Sequence, residues 1–309
     1  MKTKPIHINS ILPEGIVLLA CLICIALLPS GCVREDVNGC VQYSLSVKVV
    51  DTEGNDITTS GTVTSVKLYL FDQKGFVRII PEGTSTDFLL GEEYGKSVTL
   101  VAWGNLKMDS LQLSGLTVGT SLKDARVQLL QRVNGNNLPS TDLFYSRVEF
   151  SGNEDATTRG MNESTATLVL ERMSAAVSIK TYSLSDYFGQ AQQGEAYRIV
   201  VRGAGNALNF LGNPTGGDAG YEPDIQTSSL GDLYAPAFRV FPTESNAALS
   251  IDLYKGEEKI FTTSTDDQGD PLQAPAGKQI DVNIDFSHAR VKVSVKISDW
   301  DQVGQDTQM

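Results

Sequence analysis

Few side chains in this sequence combine reactive types with a useful spacing. His288 follows Ser287 in a Ser-His-Ala segment. No second histidine near it, no Cys/His pair and no Gly-x-Ser-x-Gly elbow completes a nucleophilic site, so His288 reads as a surface turn residue. Asp266-Asp267-Gln268-Gly269-Asp270 gathers carboxylates as a calcium loop does. A loop of the helix-flanked kind needs a further carboxylate near position 277, where Gly277 stands, so a hairpin tip is the better reading. Arg202-Gly203-Ala204-Gly205-Asn206-Ala207-Leu208 opens like a dinucleotide fingerprint. It lacks the third glycine and the strand-turn-helix setting, and reads as turn chemistry. Acidic residues are plentiful, yet nothing selects a glycosidase pair. Trp103 and Trp300, the two tryptophans, each end an apolar strand; exposed, they would stack on sugars, and buried, they are core. These observations predict no enzyme, no metal and no cofactor. Among the four cysteines, Cys21, Cys24, Cys32 and Cys40, one stands out: Cys32 follows Gly31 directly, where its thiol could take a covalent lipid.

The context of Cys32 supports that chemistry. Lys2 and Lys4 precede an apolar run from Gly15 to Leu28, followed by Pro29, Ser30, Gly31 and Cys32. This is the order of a secretory signal peptide, with a charged start, an apolar stretch and a small-residue cleavage site. The run is short of the roughly 20 residues that span a bilayer. Leu27-Leu28-Pro29-Ser30-Gly31-Cys32 resembles a bacterial lipobox, with Pro29 where an aliphatic residue is usual. Cleavage after Gly31 and lipidation of Cys32 with diacylglycerol and an N-acyl chain are therefore expected. Val33-Arg34-Glu35-Asp36 resembles the acidic surface-export tag of Bacteroides-type lipoproteins. Outer-membrane attachment and cell-surface exposure follow as expectations.

Removing Lys2, Lys4 and Glu14 with residues 1–31 takes the net charge from −12 to −13. That sign argues against nucleic acid, whose phosphates need Lys/Arg clusters. It argues equally against electrostatic adhesion to anionic lipid. With Cys40 alone left unmodified in the mature chain, no intrachain disulfide framework is available.

The elements that must carry these residues are strands. Short apolar-alternating runs recur between turn residues, and no stretch of comparable length has helical period. Ser44–Val50 alternates. Val66–Phe71 is more continuously apolar, as a buried central strand is, and Asp72-Gln73-Lys74-Gly75 is a tight turn. Leu106–Leu116 and Ser121–Leu130 are weaker and predict a short helix or irregular crossover. Near the end, Ile280, Val282, Ile284 and Phe286, then Val291, Val293, Val295 and Ile297, alternate with polar residues in an amphipathic hairpin. Residues 151–164 and 203–220 are polar, glycine-containing stretches. The sequence divides into a signal peptide (1–31), a tether (32–40), an N-terminal β-sandwich (41–172) and a C-terminal one (173–309).

Several segments together are similar to a known family. Gly39-Cys40-Val41, Val66-Lys67-Leu68-Tyr69-Leu70-Phe71-Asp72, Leu100-Val101-Ala102-Trp103-Gly104-Asn105, Glu171-Arg172-Met173-Ser174-Ala175-Ala176-Val177 and Val295-Lys296-Ile297-Ser298-Asp299-Trp300 resemble the FimB-type fimbrial anchor lipoproteins of Bacteroides-type bacteria. The resemblance implies an all-β chain of two transthyretin-like β-sandwich domains in tandem, with short helical crossovers and no catalysis. It implies a basal pilus subunit that holds the fimbria to the outer membrane and limits its length. The partner would be a stalk pilin, joined by strand addition, with no small-molecule substrate. Stalk subunits of this type are trimmed by an Arg-specific protease that removes a first strand. Here no arginine lies between Arg34 and Arg78, so the first strand is expected to stay. The contact is then expected at the carboxyl-terminal end, at Val291, Val293, Val295, Ile297 and Trp300, with the tail 301–309. A surface glycan-binding lipoprotein or adhesin tip is the alternative, and it needs exposed tryptophans.

Overall fold

The computed structural model describes residues 41–80, 87–90, 97–151, 162–191 and 195–300. Cys32, Gly31, Cys40 and the tail 301–309 lie outside the described residues. The chain is all-β. Its first half supplies β1 (Val41–Val49), β2 (Val66–Asp72), β3 (Gly75–Ile80), β4 (Asp87–Leu90), β5 (Ser97–Gly104), β6 (Leu111–Ser114), β7 (Arg126–Leu129), β8 (Phe144–Ser151) and β9 (Asn162–Arg172). The second half supplies β10 (Ala175–Tyr182), β11 (Tyr197–Asn209), β12 (Pro214–Tyr221), β13 (Gln226–Thr227), β14 (Leu233–Val240), β15 (Ser250–Lys255), β16 (Glu258–Thr263), β17 (Lys278–Asp285) and β18 (Lys292–Asp299). The described helices are short, α1 (Leu184–Phe188) and a 3-10 turn at Thr58–Ser60.

Three sheets result. Sheet I runs β3-β2-β5-β8-β9-β1-β4, sheet II β13-β14-β10-β17-β18, and sheet III β16-β15-β11-β7-β6 with β12 on β11. In sheet I, among the described residues, β8 pairs with β9 only at Phe144↔Arg172 and Tyr145↔Glu171, so the sheet turns a corner there. The two leaves close on Leu45, Val49, Leu70, Leu100, Leu168 and Leu170. The apolar continuity of β2 and β5 has a physical cause. Leu70 and Leu100 face this inner core, while Tyr69, Phe71, Val101 and Trp103 face the larger core shared with sheets II and III. Both faces are covered, so neither strand can alternate with polar residues.

β1 and β10 hold equivalent places. β1 pairs in parallel with β9 over nine positions, from Val41↔Asn162 to Val49↔Leu170, and antiparallel with β4. β10 pairs in parallel with β17, from Ala176↔Gln279 to Tyr182↔Asp285, and antiparallel with β14.

Two local expectations are corrected. Leu106–Leu130 holds the β6–β7 hairpin, paired Leu111↔Leu129 to Ser114↔Arg126, rather than a helix. Its apolar residues Leu111, Val127 and Leu129 are buried in the larger core that sheet III shares with sheets I and II, and tertiary burial decides the form of a weakly patterned segment. Arg202–Leu208 is not a turn but the interior of β11, which pairs with β12 through two register shifts. Gly203 sits at one shift with φ 93°, and a Cβ there would lie 2.1 Å from the Ala248 carbonyl oxygen. Glycine is required by that close backbone approach, as at many strand irregularities.

Candidate docking edge and its clamp

The expected contact residues fall on the last described hairpin. β17 is interior and sends Ile280, Val282 and Ile284 into the core. β18 pairs with it antiparallel from Lys278↔Asp299 to Asp285↔Lys292 and forms the rim of sheet II. Along β18 the core-facing side chains become progressively uncovered. Val293 is 5% exposed, Val295 is half-buried, and Ile297 is 50% exposed. Val291 lies before the strand and is half-buried. Val293 is thus committed to the core, and Val295 and Ile297 are the apolar side chains a partner could reach.

The backbone of that rim can be assigned residue by residue. The Val293 N–H donates to Asp267 Oδ1 at 2.7 Å, and the Asp267 N–H donates to the Val293 carbonyl at 2.9 Å. Both main-chain groups of Val293 therefore point away from β17. In an antiparallel pair this direction alternates, so Val295 and Ile297 also turn their N–H and C=O outward. Among the described residues nothing bonds to them there. Asp267 thus closes one end of the edge and leaves the rest open. The acidic segment read as a hairpin tip is one: Asp266 accepts the Gln268 and Asp270 N–H groups at 2.9 Å each. The capping of β18 by Asp267, however, was invisible to a local reading.

The far end of β18 is clamped to the first half of the chain. Asp299 accepts Thr52 Oγ1–H at 2.6 Å and a hydrogen bond from Lys278 Nζ. Its carboxyl is held below the ordinary 3.8, first by Lys278 and then by Thr52. Trp300 follows, 8% exposed. The Arg172 guanidinium stacks over its ring at 4.6 Å and that of Arg239 at 5.3 Å. Arg172 lies almost fully buried at the end of β9, where it forms a bidentate pair with Asp142 at 2.7 and 3.1 Å and covers Phe144 at 5.0 Å. Cation–π contacts of this kind gain strength when both partners are desolvated. A cavity of about 660 Å³ opens beside the clamp, lined by Thr62, Asn105, Asp142, Arg172, Arg239 and Trp300 among others.

Trp103 is fully buried, 4.8 Å from Tyr145 and 5.8 Å from Phe210, so neither tryptophan is available to stack on a sugar. The glycan-binding alternative loses its sequence basis. His288 lies in the exposed turn between β17 and β18, 3.4 Å from Asp285.

Comparison with known proteins agrees in fold and extent. The major fimbrium anchoring subunit FimB of Porphyromonas gingivalis strain W83 is 26% identical over 289 residues, which cover 89% of this chain and 92% of that protein. The solved structure of the fimbrial anchor protein Mfa2 from Porphyromonas gingivalis superposes with a TM-score of 0.58 at 17% identity, covering 84% of this chain and 98% of that one. A solved Bacteroides ovatus protein gives 0.57 at 14% identity, covering 88% and 98%. Residues 34–306 match the model of one family, and the chain belongs to it: the fimbrillin-A associated anchor proteins Mfa1 and Mfa2.

Proposed function

We propose that this chain is the anchoring subunit of a fimbria, a non-catalytic structural protein. It is held at the outer membrane by lipid on Cys32 after cleavage at Gly31, and it joins the neighbouring pilin by strand addition along β18. The observation that carries this reading is the outward backbone of Val295 and Ile297 at the rim of sheet II, unpaired among the described residues. Strand addition takes its affinity from such main-chain groups and its specificity from alternating side chains. The name of FimB, a major fimbrium anchoring subunit, supports the role. The seat of β1 supports the position at the end of the polymer. Occupied by the chain's own strand between β9 and β4, it offers a neighbour no groove there.

A pair of proline variants tests the edge. Ile297→Pro removes an N–H that the sheet does not use, so the protein should fold with a nearly unchanged urea midpoint and fail to retain fimbriae on cells. Lys296→Pro removes a rung shared with β17 and should lower the midpoint. Fimbriae retained at the normal level by folded Ile297→Pro would refute the docking edge.

A further inference from the structure

The mature chain is strongly acidic, yet the outer face of its rim strand is basic. Lys292, Ser294 and Lys296 are exposed on the face of β18 opposite the core. Neither lysine makes an ion pair among the described residues. Across the hairpin their neighbours are acidic, Asp285 opposite Lys292 and Asp281 opposite Lys296. The outer face of sheet II therefore carries a row of acids on β17, then a row of bases on β18, and then stops. On the other face, Val295 and the half-exposed Ile297 continue an apolar row that also stops.

We infer, resting on the docking reading of β18, that the incoming strand belongs to a neighbouring subunit and alternates apolar with acidic residues, and that Asp267 fixes its register. Apolar side chains opposite Val295 and Ile297 would complete the uncovered core face. A carboxylate opposite Lys296 would continue the alternation of charge. Opposite charges across a strand pair stabilise it, and like charges oppose it. Edge lysines also resist indiscriminate pairing, so the same residue that repels basic or unpatterned strands selects an acidic one. The register follows from the cap. Asp267 occupies both outward groups of Val293, so the added strand is confined to the stretch from Val295 to Asp299.

The test uses the full mature chain with Cys32→Ser and synthetic nine-residue peptides of alternating Val/Asp or Val/Lys, followed by fluorescence anisotropy and amide hydrogen exchange. The Val/Asp peptide should bind about tenfold more tightly and protect the Val295 and Ile297 amides. Lys296→Glu should invert the preference. Asp267→Ala should leave the Val293 amide labile until peptide protects it, whereas in the unaltered chain it is protected throughout. Equal affinity of both peptides, with Val295 and Ile297 protected, would overturn the charge selection while leaving the docking edge standing. Absence of protection at Val295 and Ile297 with either peptide would overturn both.

Discussion

At the residue scale, the end of β18 is held by polar groups drawn from distant parts of the chain. Thr52 reaches Asp299 across 247 positions, and Arg172 reaches the Trp300 carbonyl across 128. Arg172 is tolerated in a buried place because Asp142 pairs with it in two-pronged geometry and two rings flank its plane. A buried guanidinium without such partners would be strongly destabilising. The Glu-Arg-Met-Ser-Ala-Ala segment that carried the family resemblance has its physical reason here. Arg172 makes the clamp, and the buried Ser174 accepts the Leu143 N–H at 3.1 Å. Asp299 gives a pH signature. Its carboxyl titrates below its ordinary 3.8 in the folded chain, because Lys278 and Thr52 favour the charged form. A depressed folded value means stabilisation that is complete above 3.8 and is lost as pH falls through that lower value. The unaltered protein should therefore exceed Asp299→Asn in urea midpoint at pH 6, and the gap should close as pH drops below about 4. A gap that stays constant from pH 6 to pH 2.5 would show that the carboxylate contributes nothing in its charged form.

At the element scale, strand alternation was legible wherever one face is wet. Ile280, Val282 and Ile284 against Asp281, Asn283 and Asp285 placed β17 and its partner correctly, because the pleat sends successive side chains to opposite faces. The Asp72–Gly75 turn was legible for a related reason, since Gly75 takes φ 116° at the start of β3, paired with Asp72 at the end of β2. Other elements were not, and the reason is long-range contact. The β6–β7 hairpin is weakly patterned and owes its form to β11. Asp267 acts on Val293, 26 positions away, and no local motif records that. The first strand makes an element-scale prediction. β1 buries Leu45 and Val49 and occupies nine positions beside β9. Each buried aliphatic side chain contributes about 1.5–3 kcal/mol, so removing residues 41–49 should lower stability by at least about 3 kcal/mol. It should also uncover the rim of β9. A shortened chain should regain stability when a peptide of residues 41–49 is added, measured by the shift in thermal midpoint. No gain on adding that peptide would show that the vacated seat cannot accept a strand in trans.

At the scale of the whole molecule, the proposed attachment must survive pulling along a polymer, and it has one strong candidate. Net charge opposes adsorption to an anionic membrane surface, and no described helix is long and apolar enough to cross a bilayer. A lipidated Cys32 would bury acyl chains at about 0.8 kcal/mol per CH₂, so that two or three chains exceed what a surface patch supplies. The described fold begins at β1, close behind that residue in sequence, and ends at the β18 rim, so load entering from a bound neighbour at β18 would leave through β1. The parallel β1–β9 pairing spans all nine residues of the strand, which makes it the element best placed to carry that load. Cys32→Ala should accordingly move fimbriae from the cell fraction to the medium without altering the fold of the described residues, whereas Cys40→Ala should leave them on the cell. If assembly also ends at this subunit, deletion of the whole chain should release fimbriae that are longer than normal by electron microscopy. Cys32→Ala should release them at normal length, because the closed β1 seat is intact. Released fimbriae of equal length in both strains would separate the two roles, keeping the anchor and removing the length limit; fimbriae still bound to cells with Cys32→Ala would remove the lipid anchor itself.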